Sequence, residues 1–322
     1  YHHLGDAATI TDNLPYNPKL KPYETDGVSS GTPDDRWVFT NRSSFMDYAT
    51  AASLAAASRV LKDFNPDLSG RALACALKMW NENVNKPPDS MPRHEGFGLG
   101  NANMSAALQL YITTKDEKYR KVFEDALWKM FETPAINTNI PGNAPIVNGI
   151  SYAFTIYPYM DADFHEKLRP YILKYKEESD TVTAKSPYGV PMGGRGWAGN
   201  GPIMSWAINN YFVNKYYPDI MDEEYVYRGL NYLFGCHPYS NISFVAAIGA
   251  KSKKMTYVSN RADFTFIAGG VVPGLLFLQP DFYENKDDWP FIWGQNEAII
   301  TTATPYIFLG NAIEELAGRM NK

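Results

Sequence analysis

The sequence predicts an all-α protein built from antiparallel helical hairpins, and three observations carry that prediction. From Ser44 onward, apolar residues recur at three- and four-residue spacing, the mark of helices packed by one face or more. Short connectors containing Pro, Gly or Asp join consecutive segments, which suits helical hairpins. Strand-like alternation is almost absent. With 45% of its 322 residues hydrophobic and only 20% charged, the chain can bury a large core, which excludes a disordered or coiled-coil protein.

Residues 1–43 come first and show no helical period. They are rich in Pro, Gly, Asp and Ser, as in Leu14-Pro15, Asn17-Pro18, Lys21-Pro22 and Gly31-Thr32-Pro33, and read as an irregular arm. Ser44–Asp63 is the first helix; its alanine-rich middle is small nearly all round, so neighbours can approach on several sides, as an inner-layer helix needs. Pro66 follows, and Asp67–Asn83 carries Leu73, Ala76, Leu77 and Trp80 on one stripe. The spacing predicts further helices at about Phe97–Thr113, Glu117–Phe131, Ile146–Met160, Asp163–Lys176, Trp197–Tyr216, Asp222–Phe234 and Glu297–Arg319. These complete a set of nine. Residues 44–235 are thus helical hairpins and 297–319 a final helix. Between them, 236–296 holds a hairpin candidate at Ile242–Ala250, the glycines of AGGVVPG and a cluster of aromatics; a loop region of that length inside a compact domain is usually functional.

Charge and cysteine usage exclude several function classes. A net charge of −5, with no Lys/Arg run beyond Lys251–Lys254, argues against a nucleic-acid partner. No stretch reaches the roughly 18 to 20 apolar residues that a bilayer span requires. Cys75 and Cys236 both sit in apolar helical surroundings and read as small buried thiols, so neither a disulfide framework nor a zinc site is implied. Five scattered histidines without a His-x-x-x-His pair give no metal site. The glycines Gly269, Gly270 and Gly274 serve a backbone turn, because AGGVVPG does not lead from a strand into a helix as a phosphate loop would.

Three C-terminal stretches carry more specific information: SPYGVPMGGRGWAGN (186–200), NYLFGCHPYSNISFVAAIG (231–249), and FIAGGVVPG followed by WGQNEAIITTATPYIFLGNAIEEL (266–316). In this order they resemble family 9 glycoside hydrolases, with their W-G-x-N, Y-L-L-G-x-N-P…S-F-V, I-P-G-x-x-x-G-G-P and N-E-x-A-I elements. Upstream, ATAASLAAASRVLKDFNP is similar to an Ala-rich helix of the same family. The resemblance implies an (α/α)6 barrel of twelve helices, of which nine fall in this chain, and hence a C-terminal three quarters of one catalytic domain spanning 1–322. It also implies an inverting hydrolase acting on a β-linked glucan or related oligosaccharide, outside the cytoplasm in the extracellular or periplasmic space. No cofactor is implied, though a structural calcium would be compatible.

Inverting hydrolysis needs a carboxylic acid that protonates the leaving oxygen and a carboxylate that activates water on the other face. The resemblance places the acid at Glu297. Apolar neighbours Ala298, Ile299 and Ile300, with Trp289, Phe291 and Trp293 nearby, would raise its pKa by desolvation. A first-turn glutamate held by the helix dipole is the competing reading. The family's Asp-rich base motif is absent from the chain, so the base is expected upstream of Tyr1, in a missing N-terminal segment of the same domain. Asp34-Asp35 reads as a solvated turn, and Asp287-Asp288 as a loop charge pair. Where the family carries H-H-R to hold the sugar, this chain reads Ser259, Asn260 and Arg261; Asn260 can still hydrogen-bond hydroxyls, and Arg261 either does so or satisfies loop carbonyls. The departure from the histidine pair points to a different or shorter β-glucan, or a modified sugar. Trp197, Tyr257 and Trp293 offer flat faces to a pyranose, as do Tyr239 and Trp289, while Glu95 reads as a structural brace. A catalytically inactive glycan-binding domain and a polysaccharide lyase are the alternatives.

Overall fold

The computed structural model describes residues 2–6, 12–38, 43–86, 101–133, 145–191, 199–238, 240–255, 267–274, 296 and 299–320. Two compact units, Tyr1–Arg120 and Lys121–Lys322, are taken in turn.

In the first unit the arm is more ordered than its composition suggests. Strand β1 (His2–Asp6) pairs antiparallel with β2 (Asp35–Val38), with His3 opposite Trp37 and an irregularity between His3 and Asp6. Between the strands, short polar side chains hold turns: Asp12 accepts from Leu14 N and Ser30 Oγ, and Asp26 from the amides of Val28 and Ser29. Such side-chain acceptors replace backbone partners that a helix or sheet would supply. The Asp34-Asp35 pair is therefore not a solvated turn. Asp34 is 6% exposed, and the Asp35 carboxylate accepts from Tyr16 N at 2.6 Å and lies 3.2 Å from His3 Nε2.

Helices α1 (Ser44–Leu61), α2 (Pro66–Asn83) and α3 (Ala102–Thr114) complete this unit. Ser43 and Asn65 cap α1 and α2, and Pro66 sits in the first turn, where it forfeits no hydrogen bond. Ala51 and Ala55 are fully buried, and α1 packs against both α2 and α3, as expected of an inner helix. Polar clamps fix the crossings. Ser69 Oγ donates to Ser58 O at 2.8 Å, and Arg59 reaches Gln109 Oε1 and Thr113 Oγ1, each at 2.6 Å. The predicted start of α3 at Phe97 lies outside the described residues.

Helix α4 (Glu117–Glu132) runs across the boundary. In the second unit its Phe131 stacks on Tyr171 at 4.6 Å. Then follow α5 (Pro145–Ile156), a 3-10 turn (Tyr157–Tyr159), α6 (Ala162–Ala184), α7 (Asn200–Tyr216), α8 (Glu224–Leu233) and α9 (Ile300–Met320). Pro158 tightens the end of the α5 segment into the 3-10 turn, where the sequence predicts continuous helix to Met160. Helix α6 outruns its predicted end at Lys176 by eight residues. Its inward stripe continues through Ser179 and Thr183, which are buried. Thr183 Oγ1 returns to Ser179 O at 2.8 Å, and Ser179 Oγ accepts from Trp206 Nε1 at 3.3 Å, so hydroxyls do the packing that hydropathy alone looks for in apolar residues.

Helix α7 is the inner helix of this unit, burying Ile203, Met204, Trp206, Ala207, Tyr211 and Val213 against α5, α8 and α9. Tyr175 of α6 donates to Asn210 Oδ1 of α7 at 2.8 Å. Among the described residues no helix is long and apolar enough to cross a membrane. Two expectations fail here. Cys236 is exposed, because it follows Gly235 in the turn after α8 rather than lying inside the helix. Ile242–Ala250 is not a hairpin. Its residues pair outward with two other segments, described next.

Candidate active site

The C-terminal motif stretches meet in one joint of the second unit. At the start of α7, Asn200 is fully buried; its backbone N donates to Pro273 O and its Nδ2 to Val272 O, both at 2.8 Å. Gly274 sits at φ +103°, and a Cβ there would lie 2.3 Å from Asn200 Oδ1. Only glycine both adopts that backbone and leaves room for the asparagine.

Residues 269–272 then pair with 244–246. Ala246 N donates to Gly270 O at 2.9 Å, Gly269 N to Ala246 O at 2.8 Å and Val272 N to Phe244 O at 2.9 Å. On its other side the same segment is tied to the end of α8 by Phe244 N to Leu233 O at 2.8 Å, and to 251–253 by Ser243 N to Lys251 O and Lys253 N to Ser243 O, each 2.8 Å. Ser243, wholly buried, donates from Oγ to Val245 O and accepts from Val245 N. Partners on both sides satisfy the amides of Ser243, Phe244 and Ala246, which is why this stretch does not fold back on itself. The last stretch joins through Thr302 of α9, whose Oγ1 reaches Val271 O at 3.5 Å.

His237, which the sequence reading passed over, occupies the Asn position of the Y-L-L-G-x-N-P element. It is a brace. Its Nε2 lies 2.8 Å from Tyr232 O and its Nδ1 3.3 Å from Ser240 Oγ, with the Tyr232 and Phe244 rings both 5.0 Å away. Both ring nitrogens are committed to the joint, and no sequence pattern other than this substitution signals it.

Beside the joint opens an apolar cleft of about 350 Å³, lined by Met255, Gly270, Val271, Ile299, Ala303 and Tyr306 among others. Burial raises the Tyr306 phenol pKa, keeping it a neutral hydrogen-bond donor at physiological pH. The cleft begins two residues after Glu297 in the chain. Ile300 is 80% exposed at the cleft rim. Of the predicted site residues, Glu297, Arg261, Trp197, Asn260, Tyr257 and Trp293 all lie outside the described residues, as do Ser259, Glu95 and Asp287-Asp288. What the structure brings together is the scaffold on which their segments are mounted. Among the described residues no group of three or more His, Cys, Asp or Glu side chains is placed to hold a metal ion.

Comparison with solved structures gives the same fold. A metagenome-derived glycoside hydrolase family 9 endoglucanase matches with a TM-score of 0.63 at 19% identity over 92% of this chain and 55% of its own. AaCel9A, solved in complex with cellobiose-like isofagomine, gives 0.65 at 17% identity over 88% and 57%. A Bacteroides ovatus GH9 protein gives 0.65 at 19% identity over 89% and 56%. The chain thus spans a little over half the length of these structures. No curated protein matches it in sequence. The fold is all-α and of the (α/α)6 barrel class, with nine α-helices among the described residues. The sequence profile described as Glycosyl hydrolase family 9 matches residues 11–297, and the chain therefore belongs to that family.

Proposed function

We propose that this chain forms part of an inverting glycoside hydrolase that cleaves β-linked glucan or a related β-glycan oligosaccharide, with Glu297 as the general acid. One observation carries the reading: the glycosyl hydrolase family 9 profile matches residues 11–297, most of the chain. Endoglucanases and a complex with a cellobiose-like inhibitor among the structural neighbours support the substrate class.

In this reading Glu297 gives its proton to the glycosidic oxygen as the C1–O bond breaks. A water adds its oxygen to C1 from the opposite face and yields its proton to a carboxylate about 6.5–9.5 Å from the acid. That base is assigned to none of the chain's own residues. Asp35 is already engaged by Tyr16 N and His3 and is not a candidate. Arg261 and Asn260 bond sugar hydroxyls, and Trp197, Tyr257 and Trp293 provide stacking faces. A polymer that does not enter cells places the activity in the extracellular or periplasmic space.

The test is Glu297→Gln in the full-length protein on a panel of soluble β-glucans. Turnover falls by roughly 10²-fold or more, and nuclear magnetic resonance of the first product shows the α anomer. Near-normal turnover in the variant removes Glu297 from its role, and an initial β anomer refutes inversion. Tight glycan binding by wild-type protein without any turnover establishes the inactive glycan-binding reading instead.

A further inference from the structure

Tyr23 is out of place in two ways. Its backbone sits at φ +66°, in the left-handed region that a bulky L-residue enters only at a cost. Its side chain is 84% exposed, so no burial offsets that cost. The other non-glycine residues at positive φ among the described residues have ordinary explanations. Asn13 and Asn241 are of the type that tolerates the region, Lys115 is the left-handed cap that ends α3, and Ala247 brings only a methyl group.

The turn beneath the Tyr23 ring is locked. Residues 21–24 form a type II turn in which Pro22 takes the second position and Tyr23 the third, where glycine is the usual residue; Glu24 N closes it by donating to Lys21 O at 2.9 Å. The Glu24 carboxylate reaches back to accept from Lys21 N at 2.9 Å, and Gly31 N donates to Glu24 O at 3.0 Å. Gly31 is packed so closely that a Cβ there would stand 2.0 Å from Lys21 O. Such bracing holds a strained residue in one orientation, and a rigid support is what a binding group needs. Ser30 pairs with Tyr16 on one side and Thr25 on the other, which places a second exposed ring, Tyr16, on the same lobe.

We infer that Tyr23 is a stacking platform for the β-glycan chain, a binding site in addition to the proposed catalytic one. The inference rests on the β-glycan substrate proposed above and extends it to where the polymer is held. A β-linked glucose unit carries its hydroxyls around the ring's edge and leaves two apolar C–H faces. A flat phenol ring matches such a face, and its own hydroxyl can bond at the edge. Lys21 and Glu24, both exposed, flank Tyr23 in the turn and offer a donor and an acceptor to the sugar. Glycine would suit this backbone better, but it would bind nothing.

The experiment compares Tyr23→Gly and Tyr23→Phe with wild type in the full-length protein. The probe is a soluble mixed-linkage β-glucan, with affinity read from retardation in native gels that contain it. Tyr23→Gly should melt at or above the wild-type temperature, because glycine adopts the turn freely, and should lose about ten-fold or more in affinity, the scale of one aromatic anchor. Tyr23→Phe keeps the ring and should bind within about three-fold of wild type. Wild-type affinity in Tyr23→Gly overturns the inference, and does so without touching the proposed hydrolase if the wild type cleaves the polymer. A Tyr23→Gly protein that melts well below wild type overturns it too, since the ring would then be packed against the rest of the domain. Equal losses in both variants leave the ring no role and have the same force. A wild type that is neither retarded by nor active on any β-glycan removes the substrate class beneath both readings.

Discussion

Replacing Gly274 by alanine tests the joint at its tightest point. The new Cβ would stand 2.3 Å from Asn200 Oδ1, 2.5 Å from its Cγ and 2.8 Å from its Nδ2, on a backbone at φ +103°. Forcing an L-residue into that conformation costs about 1–2 kcal/mol. The overlap displaces a fully buried asparagine whose Nδ2 is bonded to Val272 O, and leaving that pair unmade costs about 1–3 kcal/mol more. The sum is about 2–5 kcal/mol. At roughly 2–4 °C per kcal/mol for a domain of 150–250 residues, the middle of that range, about 3.5 kcal/mol, lowers Tm by about 7–14 °C in a calorimetric scan of the full-length protein. Asn200→Ala removes the atoms that clash, so the double variant should be less destabilised than the sum of the single ones by about 1–2 kcal/mol. A Gly274→Ala protein that melts with the wild type, or strict additivity in the double variant, would refute the argument.

Gly310 is the opposite case, a glycine inside α9 with no atom within 4 Å of where a Cβ would stand. Gly310→Ala should raise the urea midpoint by an amount equivalent to about 0.5–1 kcal/mol; a lower midpoint means an unseen steric cost. Two predictions concern pH, both read from the urea midpoint. For Asp180, burial alone would raise the pKa, but hydrogen bonds from Lys176 and Tyr225 outweigh it and hold the carboxyl below its usual range. Its contribution is therefore complete above the unfolded value of about 3.9 and fades as pH falls through the native one. Lys176→Met should flatten this acid limb, and an unchanged limb rejects the pairing. On the alkaline side, burial raises the Tyr175 phenol. The unfolded chain then loses that proton first, so stability declines above about pH 10. Tyr175→Phe should flatten that limb while costing about 1–3 kcal/mol at neutral pH, because Asn210 Oδ1 loses its donor.

Helices were legible wherever apolar side chains carried the buried stripe. Every predicted helix has an observed counterpart, and the small-residue character of α1 correctly announced a helix packed on more than one side. Legibility failed where polar atoms did the packing. The last two turns of α6 bury Ser179 and Thr183 through hydroxyl bonds, which a hydropathy pattern registers as solvent-facing. The arm failed for a related reason. Composition marked its turns, but the pairing of β1 with β2 spans some thirty residues, and no local pattern encodes such a long-range ladder. Cys236 shows the limit of boundary reading, since α8 ends at Leu233, one residue before the predicted Phe234, and leaves Cys236 in the exposed turn after Gly235.

The motifs that revealed the family are, physically, the parts of this joint. Asn200, Ser243, Gly270 and Gly274 each fill a motif position, and each has a side-chain bond or a close approach that another residue type would break. In the proposed reading the sugar is held by other residues, Asn260 and Arg261 among them, so fold and substrate are read from different positions. Thr302 reaches Val271 and ties the start of α9 to the joint. Glu297 precedes that anchored end by a few residues in the sequence, so on the proposal that it is the acid, loosening the anchor should lower turnover before it unfolds the protein.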